Sequence, residues 1–224
     1  YKDTVRDEID GFRIPTIIPE QGLGADLIQR YSLGIDTYDM YCGHTSSLIS
    51  VDVLSASRAF TKLIQSPSLR VKMGASGLKR AREIYDWSVI YKQYDDLFKH
   101  LNLIRKKSFL NEFEKKRFWP GRVNPFQGFS SYATNQLSLN SKLSLVDDDY
   151  KITFQRYIDI KDLKMVSFAS YVLPTHEEVK YIFNNLSNGP MIASDLLIPF
   201  QLKRRPFILR ILVSLLKFNL IKLV

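Results

Sequence analysis

The 224-residue sequence holds one cysteine, three histidines and two tryptophans. A lone Cys42 excludes an internal disulfide framework and points to a reducing compartment. His44, His100 and His176 stand far apart with no carboxylate at metal-ligand spacing, so no zinc or iron site is expected. Cys42 lies two residues from His44, but no third group is placed to orient a base, and we read the pair as loop packing. Long apolar runs are also missing. The most apolar stretch, Phe207 to Val224, is interrupted by Arg210, Lys217 and Lys222, which excludes a spanning helix and suits a buried core helix or one lying in an anionic lipid surface. No apolar leader opens the chain, and position 1 is Tyr rather than Met, which we read as a start inside a longer coding sequence.

Acidic residues are in deficit: 23 Asp and Glu against 32 Lys and Arg, a formal charge of +9. Up to Leu103 the signs balance at 13 each, so the whole surplus falls in the back half. Such asymmetry suggests two units with different surfaces, and an anionic partner for the second alone. What remains is ordinary globular material, with 45% apolar and 25% charged residues.

Along the chain, a turn at Asp10-Gly11 leads to a strand ending at Ile18. Residues 19 to 48 are polar and glycine-punctuated, and read as a long irregular loop. Apolar residues at three-to-four spacing predict helices over 49–65, 68–83 and from Asp86 to Leu101. Residues 102 to 122 read as a charged helical linker ended by Pro120-Gly121. The stretch ITFQRYIDI, 152–160, alternates like a strand, and helices are expected over 175–186, 191–198 and 204–224. Asp147, Asp148 and Asp149 are clustered carboxylates of a kind that suits a hard cation, yet between strand-like segments they read as a turn. Gly22-Leu23-Gly24 lacks the third glycine and the helix start of a phosphate-cradling loop.

Two stretches resemble a known family. DTVRDEIDGFRIPT, residues 3 to 16, resembles the segment E-x-V-x-D-G-x-x-G-x-x-V-P that follows the donor-site motif in family 4 retaining glycosyltransferases of the GT-B fold. SPSLRVKMGASGLKRAREIYDWSVIYKQYDDLF, residues 66 to 98, looks like the end of that family's second domain, through Pro67, Arg70, Gly74, Arg80, Ala81 and Trp87. Two departures stand out: Glu8 occupies a position where the family has glycine, and Asp3 one where Glu is commoner. The loop 22–43 looks like an insertion of a bacterial subgroup that carries a further C-terminal extension.

The resemblance implies an expected organisation: residues 1–103 as the C-terminal part of a Rossmann-like nucleotide-sugar domain, 104–173 as a linker and mixed α/β segment, and 174–224 as a helical, winged-helix-like module. The fold class expected is mixed and predominantly α. It also implies that the paired glutamates and glycine-rich turn that hold the donor, and the acceptor-binding first domain, lie outside this sequence. No catalytic residue and no cofactor is therefore expected within it. Asp3 and Thr4 are the residues nearest the donor site, a helix-cap role being the alternative. The implied partners are a nucleotide-sugar donor and the acceptor domain, and the implied setting is cytoplasmic, with peripheral contact at the inner membrane left open. The apolar side of the helix from Asp86 to Leu101 would lack its usual cover. In the C-terminal module, Lys203, Arg204, Arg205 and Arg210 are the candidates for contacts to an anionic partner, as on a DNA-reading helix. A winged helix that only supports other domains is the reading we prefer there, and nucleic acid is the less favoured partner.

Overall fold

The computed structural model describes residues 2–108, 123–147 and 149–224. Its elements run β1 (Thr16–Pro19), α1 (Ala25–Ser32), α2 (Tyr38–Ser47), β2 (Ser50–Val51), α3 (Val53–Gln65), α4 (Pro67–Arg80), a π-helical turn (Ala81–Tyr85) and α5 (Trp87–Ser108). Then follow α6 (Pro125–Gly128), β3 (Asn135–Leu137), β4 (Lys142–Leu145), α7 (Tyr150–Lys161), α8 (Lys164–Ser167), α9 (His176–Leu186), β5 (Met191–Ile192), α10 (Ala193–Leu197), α11 (Arg205–Lys217) and β6 (Ile221–Leu223). The chain is mainly helical with two small sheets.

Contacts divide it into two units, and not at the expected boundaries of 103 and 173: residues up to Ile14 join 53–119 in the first, while 15–52 join 120–224 in the second. The physical reason is β1. It pairs antiparallel with β2 (Ile17 opposite Ser50) and parallel with β3 (Ile17 opposite Asn135, Pro19 opposite Leu137). Backbone pairing thus draws the segment 15–52 into the second unit.

The first unit is built of α3, α4 and α5 around the N-terminal segment. Ser66 caps α4 by accepting from Leu69 N, with Pro67 in the first turn where its missing N–H costs nothing. Asp86 accepts from Ser88 N and so starts α5. Met73 is the one buried hydrophobic side chain among the described residues of this unit.

The second unit holds both hydrophobic cores. In one, the sheet β5-β4-β6 packs against α7, α9, α10 and α11, around Leu143, Leu145, Ile182, Phe183, Leu196 and Leu212. In the other, Ile18, Leu27, Leu48, Phe126, Ala169 and Val172 close the sheet β2-β1-β3 over α1 and α6. β4, from the segment expected to be a linker, is the central strand that carries β5 and β6, so the linker and the C-terminal module form one body.

Two local expectations are corrected. Residues 19–48 contain helices α1 and α2, the second capped by Thr37, which accepts from Met40 N. The stretch 152–160 lies inside α7, whose N-cap Asp149 accepts from Lys151 N. Of the linker helix expected over 102–122, residues 102–108 continue α5 and the remainder lies outside the described residues.

Candidate functional site

In the first unit the two motif-bearing stretches meet. Arg80 donates through Nε to Thr4 O (3.1 Å) and through Nη2 to Asp3 O (3.0 Å), and the Tyr85 hydroxyl donates to Asp3 O (2.8 Å). Asp10 accepts two bonds from the Arg6 guanidinium and one from Ser76 Oγ (2.8 Å). Those bonds, led by the one from Arg6, hold the Asp10 carboxyl far below the usual carboxylate range. The intervening turn is closed by Asp7, which accepts from Arg13 N at 2.8 Å, and by Glu8 N donating to Gly11 O at 2.7 Å. Glu8 itself has φ +59°, the left-handed region that favours glycine.

Motif residues on α4 act in the same scaffold. Arg70 reaches back with Nη1 to Leu63 O and Ile64 O, satisfying carbonyls at the end of α3. Trp87 is 67% exposed. Asp3 and Thr4 are exposed, and the bonds given above engage their backbone carbonyls. The helix-cap alternative for them does not arise, because no helix starts at either residue.

In the second unit the candidate basic residues are turned largely inward. Arg210 is 2% exposed; it grips Asp26 with two bonds, Nη1 to Oδ1 (2.5 Å) and Nη2 to Oδ2 (2.9 Å), and also donates to Leu23 O. Arg204 forks onto Glu178 at 2.7 and 2.9 Å, and Glu178 is the N3 residue of a capping box with Thr175. Arg205 donates to Phe200 O and Ile198 O. Lys203 is exposed. Eight successive residues of α11, Ile208 to Leu215, are buried, so this helix is core, with no free face to lay in a groove. Its polar stripe faces residues 19–48: Arg210 meets Asp26, and Lys217 Nζ donates to Ser46 O at 2.7 Å.

A partly buried polar network, not apparent from the sequence, extends from that stripe. Asp26 also accepts from the Tyr171 hydroxyl (2.9 Å); the Arg30 guanidinium sits 4.1 Å from the Tyr171 ring centre and forks onto Asp36; and His44 Nδ1 lies 3.3 Å from Asp36 Oδ2. Burial pushes the Asp26 carboxyl up, but its bonds from Arg210 outweigh that and leave it below its ordinary value. The bond from Arg30 likewise lowers Asp36. His44 stacks on Phe168 and is 2% exposed. Of these residues only Arg210, Lys217 and His44 stand out in the sequence; Asp26, Arg30, Asp36 and Tyr171 do not, and no pairing can be read there, since Asp26 and Arg210 are 184 residues apart.

The remaining candidates have structural roles. Asp147 accepts from Asp149 N, and Asp149 caps α7; Asp148 lies outside the described residues. Among the described residues no group of three or more His, Cys, Asp and Glu is arranged to hold a metal ion. A helix does start directly after Gly24, contrary to expectation, but a Cβ at Gly24 would lie 2.8 Å from the Phe126 ring, and the first turn of α1 carries the acidic Asp26. Gly24 is thus needed for close packing, and the carboxylate opposes an anion at that end. Among the described residues no helix is long and apolar enough to cross a membrane.

Compared with known proteins, the chain matches no family model, no curated protein and no solved structure.

Proposed function

We propose that this chain is the C-terminal portion of a family 4 retaining glycosyltransferase of the GT-B fold, an enzyme that transfers a sugar from a nucleotide-sugar donor to an acceptor in glycan or glycolipid biosynthesis. The reading rests on the resemblance of residues 3–16 and 66–98. One observation carries it furthest: Glu8, the residue that replaces the family's glycine, sits at φ +59°. An L-residue costs roughly 1 kcal/mol or more there, and glycine pays no such penalty, so the backbone retains the shape the pattern calls for. The contacts of Arg80 with Asp3 and Thr4 give the same support, because they join the two resembling stretches through a motif residue.

In this reading the residues described here supply scaffold, and the finer architecture, a Rossmann-like donor domain followed by a winged-helix-like extension, belongs to the same proposal. In a two-domain transferase the departing phosphate is stabilised in the cleft by basic side chains and helix N-terminal amides held in place beforehand. Asp3 and Thr4 would stand at the edge of that cleft. A chain without the paired glutamates leaves the transition state unsupported. The purified chain is therefore expected to turn over no nucleotide sugar. Joined in frame to the polypeptide encoded directly upstream, it is expected to release the nucleoside diphosphate from one donor. Turnover by the chain alone, or none by the joined chain with any common nucleotide sugar, overturns the proposal.

The competing reading, a nucleic-acid or protein-interaction module using the basic C-terminal half, gains no specific support, since Arg204, Arg205 and Arg210 are committed within the fold.

A further inference from the structure

The loop between α10 and α11 carries bare aliphatic side chains on a backbone whose polar groups are largely met from within. Ile198 and Leu202 are 63% and 77% exposed, and Pro199 between them is exposed as well. The Phe200 ring turns inward instead, edge-on to Tyr181 with 5.3 Å between centres, and anchors the loop to α9. Ile198 N donates to Asp195 O, Phe200 N to Leu197 O and Arg204 N to Gln201 O. Arg205 spans the loop, donating through Nε to Phe200 O at 2.9 Å and through Nη2 to Ile198 O at 2.7 Å. Pro199 has no amide to satisfy. A backbone polar group taken out of water costs free energy unless it is already bonded, so a loop closed in this way can enter an apolar layer where an open turn cannot.

Charge identifies the layer. From Ala193 to Arg205 the sequence holds Lys203, Arg204 and Arg205 against Asp195, which sits back in the first turn of α10. Arg204 is neutralised by Glu178. Among the described residues neither Lys203 nor Arg205 has a carboxylate partner, and the side-chain bonds of Arg205 end on carbonyls. Two uncompensated cations thus adjoin two bare aliphatic side chains. A bilayer of anionic lipid complements both, with phosphates for the cations and acyl chains for Ile198 and Leu202. Lys203 is exposed and can reach a headgroup, while Arg205 adds its charge from behind the loop. The turn Leu33–Ile35 is bare too, at 66% and 57%, but its neighbouring cation Arg30 is paired with Asp36 and exposed Asp39 follows, so anionic lipid has no hold there.

We propose that the loop 198–203 is a shallow membrane-insertion element, in which Ile198 and Leu202 enter the acyl boundary of an anionic bilayer while Lys203 pairs with lipid phosphates. The loop lies in the second unit, outside the stretches that resemble the glycosyltransferase family, and the proposal does not depend on that reading. With eight successive residues of α11 buried, lipid contact falls to the loop that precedes this helix and not to the helix itself.

Co-sedimentation of the purified chain with vesicles of phosphatidylcholine and phosphatidylglycerol tests it, against vesicles of phosphatidylcholine alone. Binding to the anionic vesicles is expected, with the neutral ones bound about tenfold more weakly. Ile198→Ser with Leu202→Ser should lower anionic binding about tenfold. Lys203→Glu should lower it about tenfold at low salt, a deficit that shrinks as salt is added. These variants should keep the urea midpoint of the parent, because the side chains lie at the surface, and Leu33→Ser should leave binding as it was. Exposed apolar side chains of α3 and α5 can also carry the chain down with vesicles, so the loop is read directly by a dye. In a Cys42→Ser background, a polarity-sensitive fluorophore on Leu202→Cys should shift to the blue with anionic vesicles, and the same fluorophore on Leu33→Cys should not. No binding, binding without preference for anionic vesicles, or binding that survives Ile198→Ser with Leu202→Ser overturns the proposal. So does a fluorophore at position 202 that stays in water, which would leave the loop to a protein partner.

Discussion

Arg210 is the largest fully buried side chain among the described residues, and everything about its surroundings depends on one carboxylate. Its Nε has no hydrogen-bond partner, so the two bonds to Asp26 and the one to Leu23 O satisfy its charge. Removing half of a buried pair leaves the other half uncompensated, at a cost of about 3–5 kcal/mol, whereas replacing both halves with apolar groups can be neutral. Asp26→Asn is therefore expected to destabilise the second unit by about 3 kcal/mol, read as a lowered urea midpoint. The double replacement Asp26→Leu with Arg210→Met should recover most of the loss. If the single change leaves the midpoint in place, the pair is not holding Arg210 inside.

At the scale of elements, capping chemistry decides where helices begin. Thr175 accepts from Glu178 N while the Glu178 carboxylate accepts from Thr175 N at 2.8 Å, and Arg204 then locks that same carboxylate. Thr175→Ala should cost about 1 kcal/mol, seen as an equal loss in chemical denaturation, because it frees an amide but leaves the Glu178–Arg204 pair standing. Helices with a strong three-to-four period, 53–65 and 176–186, were legible in the sequence to within a few residues at their ends. The stretch 152–160 was not, for a specific reason. Residues 150, 154 and 158 recur every four positions, which is also every second residue taken twice, so one pattern fits both periods until Thr153 and Tyr157 bury a helical face. The helix at 38–47 was missed because its ten residues, YDMYCGHTSS, show scarcely any apolar period; a Thr37 cap and the packing of Tyr41 and His44 hold it. Of the candidate sites, the motif residues could be read along the chain, while the network from Arg210 to His44 could not, since spacing carries no information about partners far away in sequence.

Across the whole molecule, stability is unevenly spread. The second unit owns both cores, and the first exposes Phe60, Ile64, Val71 and Trp87. Amide exchange should accordingly be slowest in Ile208–Leu215 and fast through α3 and α5, with protection differing by orders of magnitude; uniform protection would contradict the division. Acid should act on both units: in the first, Asp10 is held far below its ordinary value by its bonds from Arg6 and Ser76, and the second carries three such carboxyls. Burial raises Glu178, but its bonds from Arg204 bring it below its ordinary value, and Asp36 and Asp26 are lowered too. A carboxyl whose folded value is depressed stabilises fully above its unfolded value, near 4, and that stability drains as pH falls toward the folded value. The urea midpoint should be flat from about pH 7 to 5 and fall steadily below about 4.

The pairing of β1 with β3 governs when the protein can take shape during synthesis. Ile17 waits for Asn135, and the core sheet waits longer still, because Leu143 is bordered by Leu223. A ribosome that has reached residue 200 has made α1, α2 and most of the second unit's apolar surface with neither α11 nor β6 to close over it. Such a nascent chain must hold that surface exposed for several seconds at ordinary elongation rates of about 5–20 residues per second. Folding of the second unit is thus bound to the synthesis of α11 and β6, and a stall near residue 200 would expose a sticky, unclosed intermediate rather than a finished domain.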